Sequence, residues 1–365
     1  MQIVKQNNDI KIVTIISTIL IIIGLLFIYS SSSVYALEHH GNSAYFLYKQ
    51  LIGLALGLCA LLVTRAVPLS WLERYAPGLF LASGILTSLT LVPRISSSIH
   101  GSSRWLSLAG VSFQPSELLK IGFILYMASF LTRKATHKPT FIKSYLPCLI
   151  VMGGVALLLL KQPDFGLTVT LIATAFIMLF VAALPTRYLV ATCLPLIPAL
   201  IVLIIMRPYR IKRILIFLNP WNDPKGAGFQ IIQSLIAIGS GGFFGLGIGQ
   251  SRQKFFYLPM QHTDFIFSII AEETGLLGST LLLVLFGLFV FYGFRIAAQS
   301  QHAFGTLLCT GLVSLIGLQS AINIAVATGL VPTKGIGMPF VSYGNSALIS
   351  SMIMLGLIMN IARDR

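Results

Sequence analysis

Apolar stretches long enough to cross a bilayer recur along this 365-residue chain from one end to the other. Crossing the hydrocarbon core takes about 20 apolar residues in helical form. Hydrocarbon offers the backbone no hydrogen-bond partner, so each stretch must satisfy its own N–H and C=O groups as a helix. Ten stretches qualify, at approximately 12–31, 46–66, 72–92, 115–132, 144–161, 166–184, 188–206, 264–293, 303–329 and 345–362. They predict an all-α polytopic membrane protein of about ten transmembrane helices. The fold is expected to be one integral domain over 1–365, with a long extracytoplasmic loop between spans seven and eight. Charged residues make up only 10% of the chain, against roughly 25% in soluble domains, which leaves little sequence for a second domain. The first stretch, with Lys5 and Lys11 ahead and Val34-Tyr35-Ala36 behind, has the outline of a signal peptide. Its apolar run is too long for that, so it reads as an uncleaved first helix. The eighth span is long enough to bend, with Gly275 and Gly278 as its weak points.

Orientation follows from Lys and Arg, which collect in short cytoplasmic loops. With the N-terminus inside, twelve lie in inner loops and span ends, six in outer ones, and seven in the 207–263 loop. An even number of spans returns the C-terminus to the same side. The net charge of +15 sits at span ends and in that one loop. This points to anionic headgroups and pyrophosphates rather than nucleic acid. Cys59, Cys148, Cys193 and Cys309 lie inside apolar runs without metal-ligand spacing, as small core or lipid-facing residues do. Trp71, Trp105 and Trp221 fall at span boundaries, where an indole anchors at the interface.

In this topology every motif-like polar segment lies on the outer side. In 101–120, Pro115 suits the first turn of a helix, which places Glu117 and Lys120 on one face. They read either as a structural ion pair or as a lysine facing a polar cavity and meeting a phosphate. In Lys161-Gln162-Pro163-Asp164-Phe165-Gly166, Asp164 reads as a cap for the following helix. The glycine-rich run 239–249 follows no strand and precedes no Gly-Lys-Ser/Thr, which argues against a nucleotide loop; backbone able to approach a surface closely is the better reading. Two prolines and three glycines forbid a continuous helix over 331–346, so this segment suits a wall or lid over a polar cavity. Glu272 and Glu273 diverge by about 100° on a helix, and one of them could pair with a base inside a cavity. Asp264 is the most pointed feature. It is one of only 10 acidic residues, and it ends a loop rich in Arg and Lys at the start of an apolar helix. An ionisable group at hydrocarbon is a functional candidate by default, and a carboxylate beside cations can supply a base next to an anionic leaving group.

Taken in order, these segments resemble the SEDS family of shape, elongation, division and sporulation proteins, which polymerise bacterial peptidoglycan. The resemblance rests on Gly101 to Lys120, Gln162 to Gly166, Asp223-Pro224 through Gln233-Ser234, Tyr257-Leu258-Pro259 with His262 to Phe267, Glu272-Glu273, and Pro339 to Gly344. Pro332-Thr333-Lys334-Gly335 and Gly249-Gln250-Ser251 with Lys254 are similar to the division-type members rather than the elongation type. The chain departs from the family at Ser103, at Asn345 and at Met260. Met260 stands where a glutamate is common, which removes a second carboxylate or metal ligand and leaves Asp264 less replaceable.

The resemblance implies an inverting glycosyltransferase that uses lipid II. The donor would be a glycan on undecaprenyl pyrophosphate and the acceptor the GlcNAc 4-hydroxyl of another lipid II. Asp264 matches the family's essential aspartate and takes the role of base. Lys120, Arg210, Lys212, Arg213 and Lys254 are candidate pyrophosphate contacts, with Arg104, Ser342 and Tyr343 as further substrate contacts. Trp105, Glu117, Asp164, His262, Thr263 and Lys334 would support them. A divalent cation could share the charge, although the sequence offers no closed metal cage. The expected partners are a class B penicillin-binding protein transpeptidase and other divisome membrane proteins. The expected location is the bacterial cytoplasmic membrane at the division site, with both termini cytoplasmic. Two rival readings stay open, a lipid II flippase and a non-catalytic scaffold that activates a partner synthase. A flippase needs a charge path across both leaflets, and a scaffold would not need Asp264.

Overall fold

The structure, a computed structural model, describes residues 2–92, 96–99, 102–108, 111–135, 140–206, 211, 215–226, 228–253, 261–333 and 335–363. Each of the ten expected spans is a helix. The first three are α1 (Gln2–His40), α2 (Tyr45–Ala66) and α3 (Leu69–Leu89). Next come α4 (Ser116–Ala135), α5 (Leu146–Lys161, entered through one wide turn at Phe141–Tyr145), α6 (Phe165–Val181) and α7 (Thr186–Ile205). A short helix α8 (Phe229–Ser240) lies in the long loop. The last three spans are α9 (Ile266–Gln299), α10 (Ala303–Ala327) and α11 (Asn345–Arg363). Among the described residues, 6 helices are long and apolar enough to cross a membrane by length and composition alone.

Helix α10 is the hub, packed against α4, α6, α9 and α11. Leu308, Leu312, Leu315 and Ile316 on it are fully buried, so its apolar residues face protein all round. Small residues let neighbouring helices close up. At Gly356 of α11 an added Cβ would lie 2.2 Å from Thr64 Oγ1 of α2.

Two elements were not expected. Three strands, β1 (Ser96–Ile99), β2 (Ser102–Leu108) and β3 (Val111–Phe113), form a small antiparallel sheet in the order β1-β2-β3. The pairing satisfies backbone groups of a segment that is too polar to enter the bilayer and too short to fold alone. Trp105, expected as an interface anchor, lies within β2 opposite Ser97 and is half-buried. Trp71 and Trp221 are exposed. Helix α8 is the second surprise. It buries Ile231, Ile232 and Ala237, and its Ser234 hydroxyl lies 2.6 Å from both Ser268 Oγ of α9 and the Ala327 carbonyl of α10.

The eighth span does bend. Gly275 interrupts α9 with φ 68° and ψ −159°. The backbone groups released there meet the glycine-rich run. Leu276 N–H donates to the Gly242 carbonyl at 2.9 Å, and Leu246 and Gly247 N–H donate to the Glu272 and Glu273 carbonyls at 3.0 Å each. An added Cβ on Gly275 would lie 2.4 Å from Gly245 N, and one on Gly245 would lie 2.2 Å from the Glu273 carbonyl oxygen. The close approach expected of this run is therefore made to the protein's own helix.

The neighbouring glutamates have the same task, and neither meets a cavity base among the described residues. Glu273 accepts from Ser30 Oγ at 2.7 Å, from Gly249 N at 2.9 Å and from Ser251 N at 3.2 Å. Glu272 accepts from the Ser251 hydroxyl and from Arg252 N at 2.9 Å. Two buried carboxylates on a bent helix thus pin an otherwise unstructured loop, through charge-assisted bonds.

Candidate functional site

A cavity of about 570 Å³ opens at one end of the bundle, where α4, α6, α9 and α11 begin and α10 ends. Asp264, Lys120, Arg104, Asp164, Glu117, Gln319 and Tyr343 line it, together with Trp105 and Thr263. Five segments far apart in sequence therefore converge on one polar space.

Asp264 sits on the last turn before α9. Its backbone carbonyl accepts from Asn323 Nδ2 of α10 at 2.9 Å, and the same amide nitrogen donates to the Ile336 carbonyl at 2.7 Å. Asn323 thereby staples the aspartate's backbone to the broken segment 335–344. That segment grips 262–263 as well. Ser342 Oγ donates to the Thr263 carbonyl at 2.6 Å, and Tyr343 N–H donates to the His262 carbonyl at 2.9 Å. The Asp264 side chain is half-buried and lies against Gly335, where an added Cβ would come within 2.9 Å of Oδ2. Among the described residues no ion pair neutralises it. Burial pushes its carboxyl up to about 7, with Arg104 pulling it down and Asp164 pushing it further up. A carboxylate titrating near neutrality is suited to taking a proton.

The cavity also holds a lysine in an unusual place. Lys120 is only 2% exposed, and its Nζ lies 2.6 Å from Glu117 Oε2 and 3.5 Å from Gln319 Oε1. The Ser350 hydroxyl donates to the same glutamate. Glu117 and Lys120 form the ion pair read for them, and both also line the cavity. A buried cation of this kind has to be paired.

Arg104 reaches from β2 across to the 161–166 turn. Its Nε donates to the Gln162 carbonyl at 3.0 Å, its Nη2 donates to the Pro163 carbonyl, and its Nη1 lies 3.5 Å from Asp164 Oδ2. Asp164 in turn accepts from Leu167 N at 3.2 Å and caps α6. Burial pushes its carboxyl above the usual range, against the pull of Arg104. Arg104 is thus a strap first, and it also lines the cavity.

Other expected site residues are placed differently. Ser342 is buried and absent from the cavity lining; its hydroxyl bridges Thr263 and Met338 N–H at 2.8 Å, so it shapes the loop and offers substrate no free group. Tyr343 does line the cavity, and burial pushes its hydroxyl up to about 12. His262 packs among Tyr35, Phe46 and Tyr343 with ring centroids 6.3, 4.8 and 5.5 Å away. Burial lowers it to about 4, so its ring is neutral and serves as packing. Arg210, Lys212, Arg213, Lys254 and Lys334 lie outside the described residues, as does Met260. Among the described residues no three His, Cys, Asp or Glu side chains cluster as a metal site.

Gln319 and Asn323 were not singled out from the sequence, and Gly335 entered only as part of the division-type resemblance. For the two amides a signal existed: both interrupt an apolar span, four residues apart on one helix face. Nothing marked Gly335 as the residue that meets Asp264, because that contact joins segments about seventy positions apart in the chain.

Residues 10–365 match the FtsW/RodA/SpoVE family, described as cell cycle protein. A probable peptidoglycan glycosyltransferase FtsW of Geobacter sulfurreducens is 41% identical, over 96% of this chain and 94% of its own length. Stage V sporulation protein E of Bacillus subtilis is 39% identical over 98% of each chain. A solved chain from work on the structural coordination of polymerization and crosslinking by a peptidoglycan synthase complex superposes with TM-score 0.80 at 32% identity, covering 96% of both chains. The rod shape determining protein RodA of Thermus thermophilus gives TM-score 0.73 at 28% identity, covering 97% of this chain and 96% of its own.

Proposed function

The chain belongs to the SEDS family, the FtsW, RodA and SpoVE cell cycle proteins, and from that premise we propose that it is a peptidoglycan glycosyltransferase. It polymerises lipid II into glycan strands at the outer leaflet of the bacterial cytoplasmic membrane, during septal wall synthesis. The observation that carries this reading is the Asp264 carboxyl, without an ion pair among the described residues and pushed by burial up to about 7, in a polar cavity that also holds Lys120 and Arg104.

The reaction is a direct displacement with inversion at the anomeric carbon. The GlcNAc 4-hydroxyl of lipid II attacks C1 of the sugar joined to undecaprenyl pyrophosphate. The new C–O bond forms as the bond to the pyrophosphate oxygen breaks, and the hydroxyl proton passes to Asp264. Undecaprenyl pyrophosphate leaves with the bonding electron pair. Lys120 and Arg104 stabilise the charge that develops on it, with Arg210, Lys212, Arg213 and Lys254 as further contacts. A divalent cation would supply similar charge stabilisation. The described acids form no cage for one, and no step here depends on it.

Several features narrow the alternatives. The described charged groups of the cavity gather at one end of the bundle, which suits surface chemistry better than a path across both leaflets. Because the fold is an integral membrane bundle without a transpeptidase domain in its described part, crosslinking falls to a partner. By family, that partner is a class B penicillin-binding protein among other divisome membrane proteins.

The test is purified Asp264→Asn, assayed with the cognate transpeptidase and lipid II. Asparagine keeps the shape but cannot take the proton, so polymer formation should fall by about 10²–10⁴-fold while lipid II binding and partner association persist. Polymerisation near the wild-type rate would leave only a scaffold role or another base.

A further inference from the structure

The opposite end of the bundle holds a second cavity, of about 650 Å³, that the proposed reaction does not use. It lies where α1 begins and where α2 and α11 end, and each helix supplies one cation: Lys11, Arg65 and Arg363. All three are exposed. Among the described residues none of them makes an ion pair. Of the two acids near these cations in sequence, Asp364 lies outside the described residues; Asp9 is buried and already engaged, 3.3 Å from Arg295 Nη2 and accepting from Gln299 Nε2 at 3.2 Å. The one hydroxyl of the lining, Thr14, donates to the Ile10 carbonyl at 2.7 Å. Among the described residues the cavity therefore presents three positive charges without an ion pair and no free acid, above an apolar floor that includes Ile15 and Met359.

Apolar rails lead away from this mouth. Ile15, Ile19 and Ile22 follow one another at helical spacing on α1 and are all exposed. On α2, Leu62 and Leu58 lie three and seven residues before Arg65, on its face, and are exposed too. A charged head over two apolar rails matches an amphiphile with an anionic head. A soluble anion would leave the rails unused, and an acidic protein segment would not need them.

We propose that this groove is a binding site for an anionic glycerophospholipid. The phosphodiester sits between Lys11, Arg65 and Arg363, with the arginines holding its oxygens in pairs, and the acyl chains run along α1 and α2 toward the bilayer centre. The occupant ties together the first, second and last spans, at the end of the molecule away from the polymerising cavity.

The experiment places the full chain in nanodiscs of about one part phosphatidylglycerol to three parts phosphatidylcholine and counts retained lipids by native mass spectrometry. Each surface cation within reach of a phosphate favours it measurably. The triple variant Lys11→Gln, Arg65→Gln, Arg363→Gln should therefore lose at least about tenfold in retained phosphatidylglycerol. Phosphatidylcholine retention should not change. A matched variant, Arg74→Gln, Lys143→Gln, Arg187→Gln, removes the same charge from other exposed positions and should retain the lipid. Inorganic phosphate added at millimolar level should not displace it. The single Arg65→Gln gives the same direction if the triple variant expresses poorly. Equal loss in both triple variants, retention of phosphatidylcholine in the same amount, or displacement by inorganic phosphate would each overturn the assignment.

Discussion

Lowering the pH of a lipid II polymerisation assay should titrate Asp264 directly. A base works only when ionised. With its carboxyl lifted to about 7 by burial, the ionised fraction falls from about ten-elevenths at pH 8 to about one-eleventh at pH 6, a loss of ~10-fold in kcat/KM. An ordinary aspartate, at about 3.9, would stay ionised throughout that window and leave the profile flat. His262 does not confuse the reading, because burial holds it near 4 and neutral; Tyr343 is pushed to about 12, far above the window. Two neighbours give the sign an internal check. Arg104 lowers the Asp264 value and Asp164 raises it. Arg104→Gln should move the acidic limb to higher pH, and Asp164→Asn, which keeps an oxygen to cap α6, should move it to lower pH. The assay is gel-resolved glycan from fluorescent lipid II, made by the purified protein with its partner's transpeptidase serine blocked. A flat profile between pH 8 and 5.5, or limbs that shift the wrong way in both variants, would refute Asp264 as a buried base.

Further outcomes follow from the same geometry. Because the folded-state value of Asp264 lies above the value of about 3.9 for an unfolded aspartate, the stability its protonated form contributes is complete below about pH 4 and is lost as pH rises to 7; Asp264→Asn should melt higher than wild type at pH 8, and the gap should narrow as pH falls below 7 and close only near pH 4. Gly275→Ala forces a side chain into left-handed backbone and against Gly245 N at 2.4 Å, which should cost about 2–5 kcal/mol in detergent unfolding from the two effects together. Glu273→Ala strips the acceptor from Ser30, Gly249 and Ser251; at about 1–3 kcal/mol for each orphaned donor, the 241–253 run should become susceptible to limited proteolysis, with Glu273→Gln intermediate. Asn323→Ala frees the Asp264 and Ile336 carbonyls. It should lower kcat by about tenfold through misplacement of the base and leave the KM for lipid II near wild type.

Hydropathy alone was enough to place all ten spans, because a helix in hydrocarbon has to be both apolar and continuous, and that requirement is written locally in the chain. The bend at Gly275 and the cap at Asp164 were legible for the same reason: each depends on a residue's own backbone freedom or on a partner three positions away. Strands β1–β3 escaped notice because a short polar segment pairs into a sheet only against the rest of the molecule, and helix α8 because, though apolar, its 12 residues are too few to register as a span. The site divides along the same line. Asp264, Lys120 and Arg104 could be picked out as charges where charge is costly, yet nothing local could say that Arg104 would strap Pro163, that Ser342 would turn inward to Thr263, or that Glu272 and Glu273 would hold a glycine loop. Those partners lie from about twenty to eighty residues apart. The packing of α4, α6, α9 and α11 around α10 chose them, since a buried polar group must take whatever donor or acceptor the fold carries within reach.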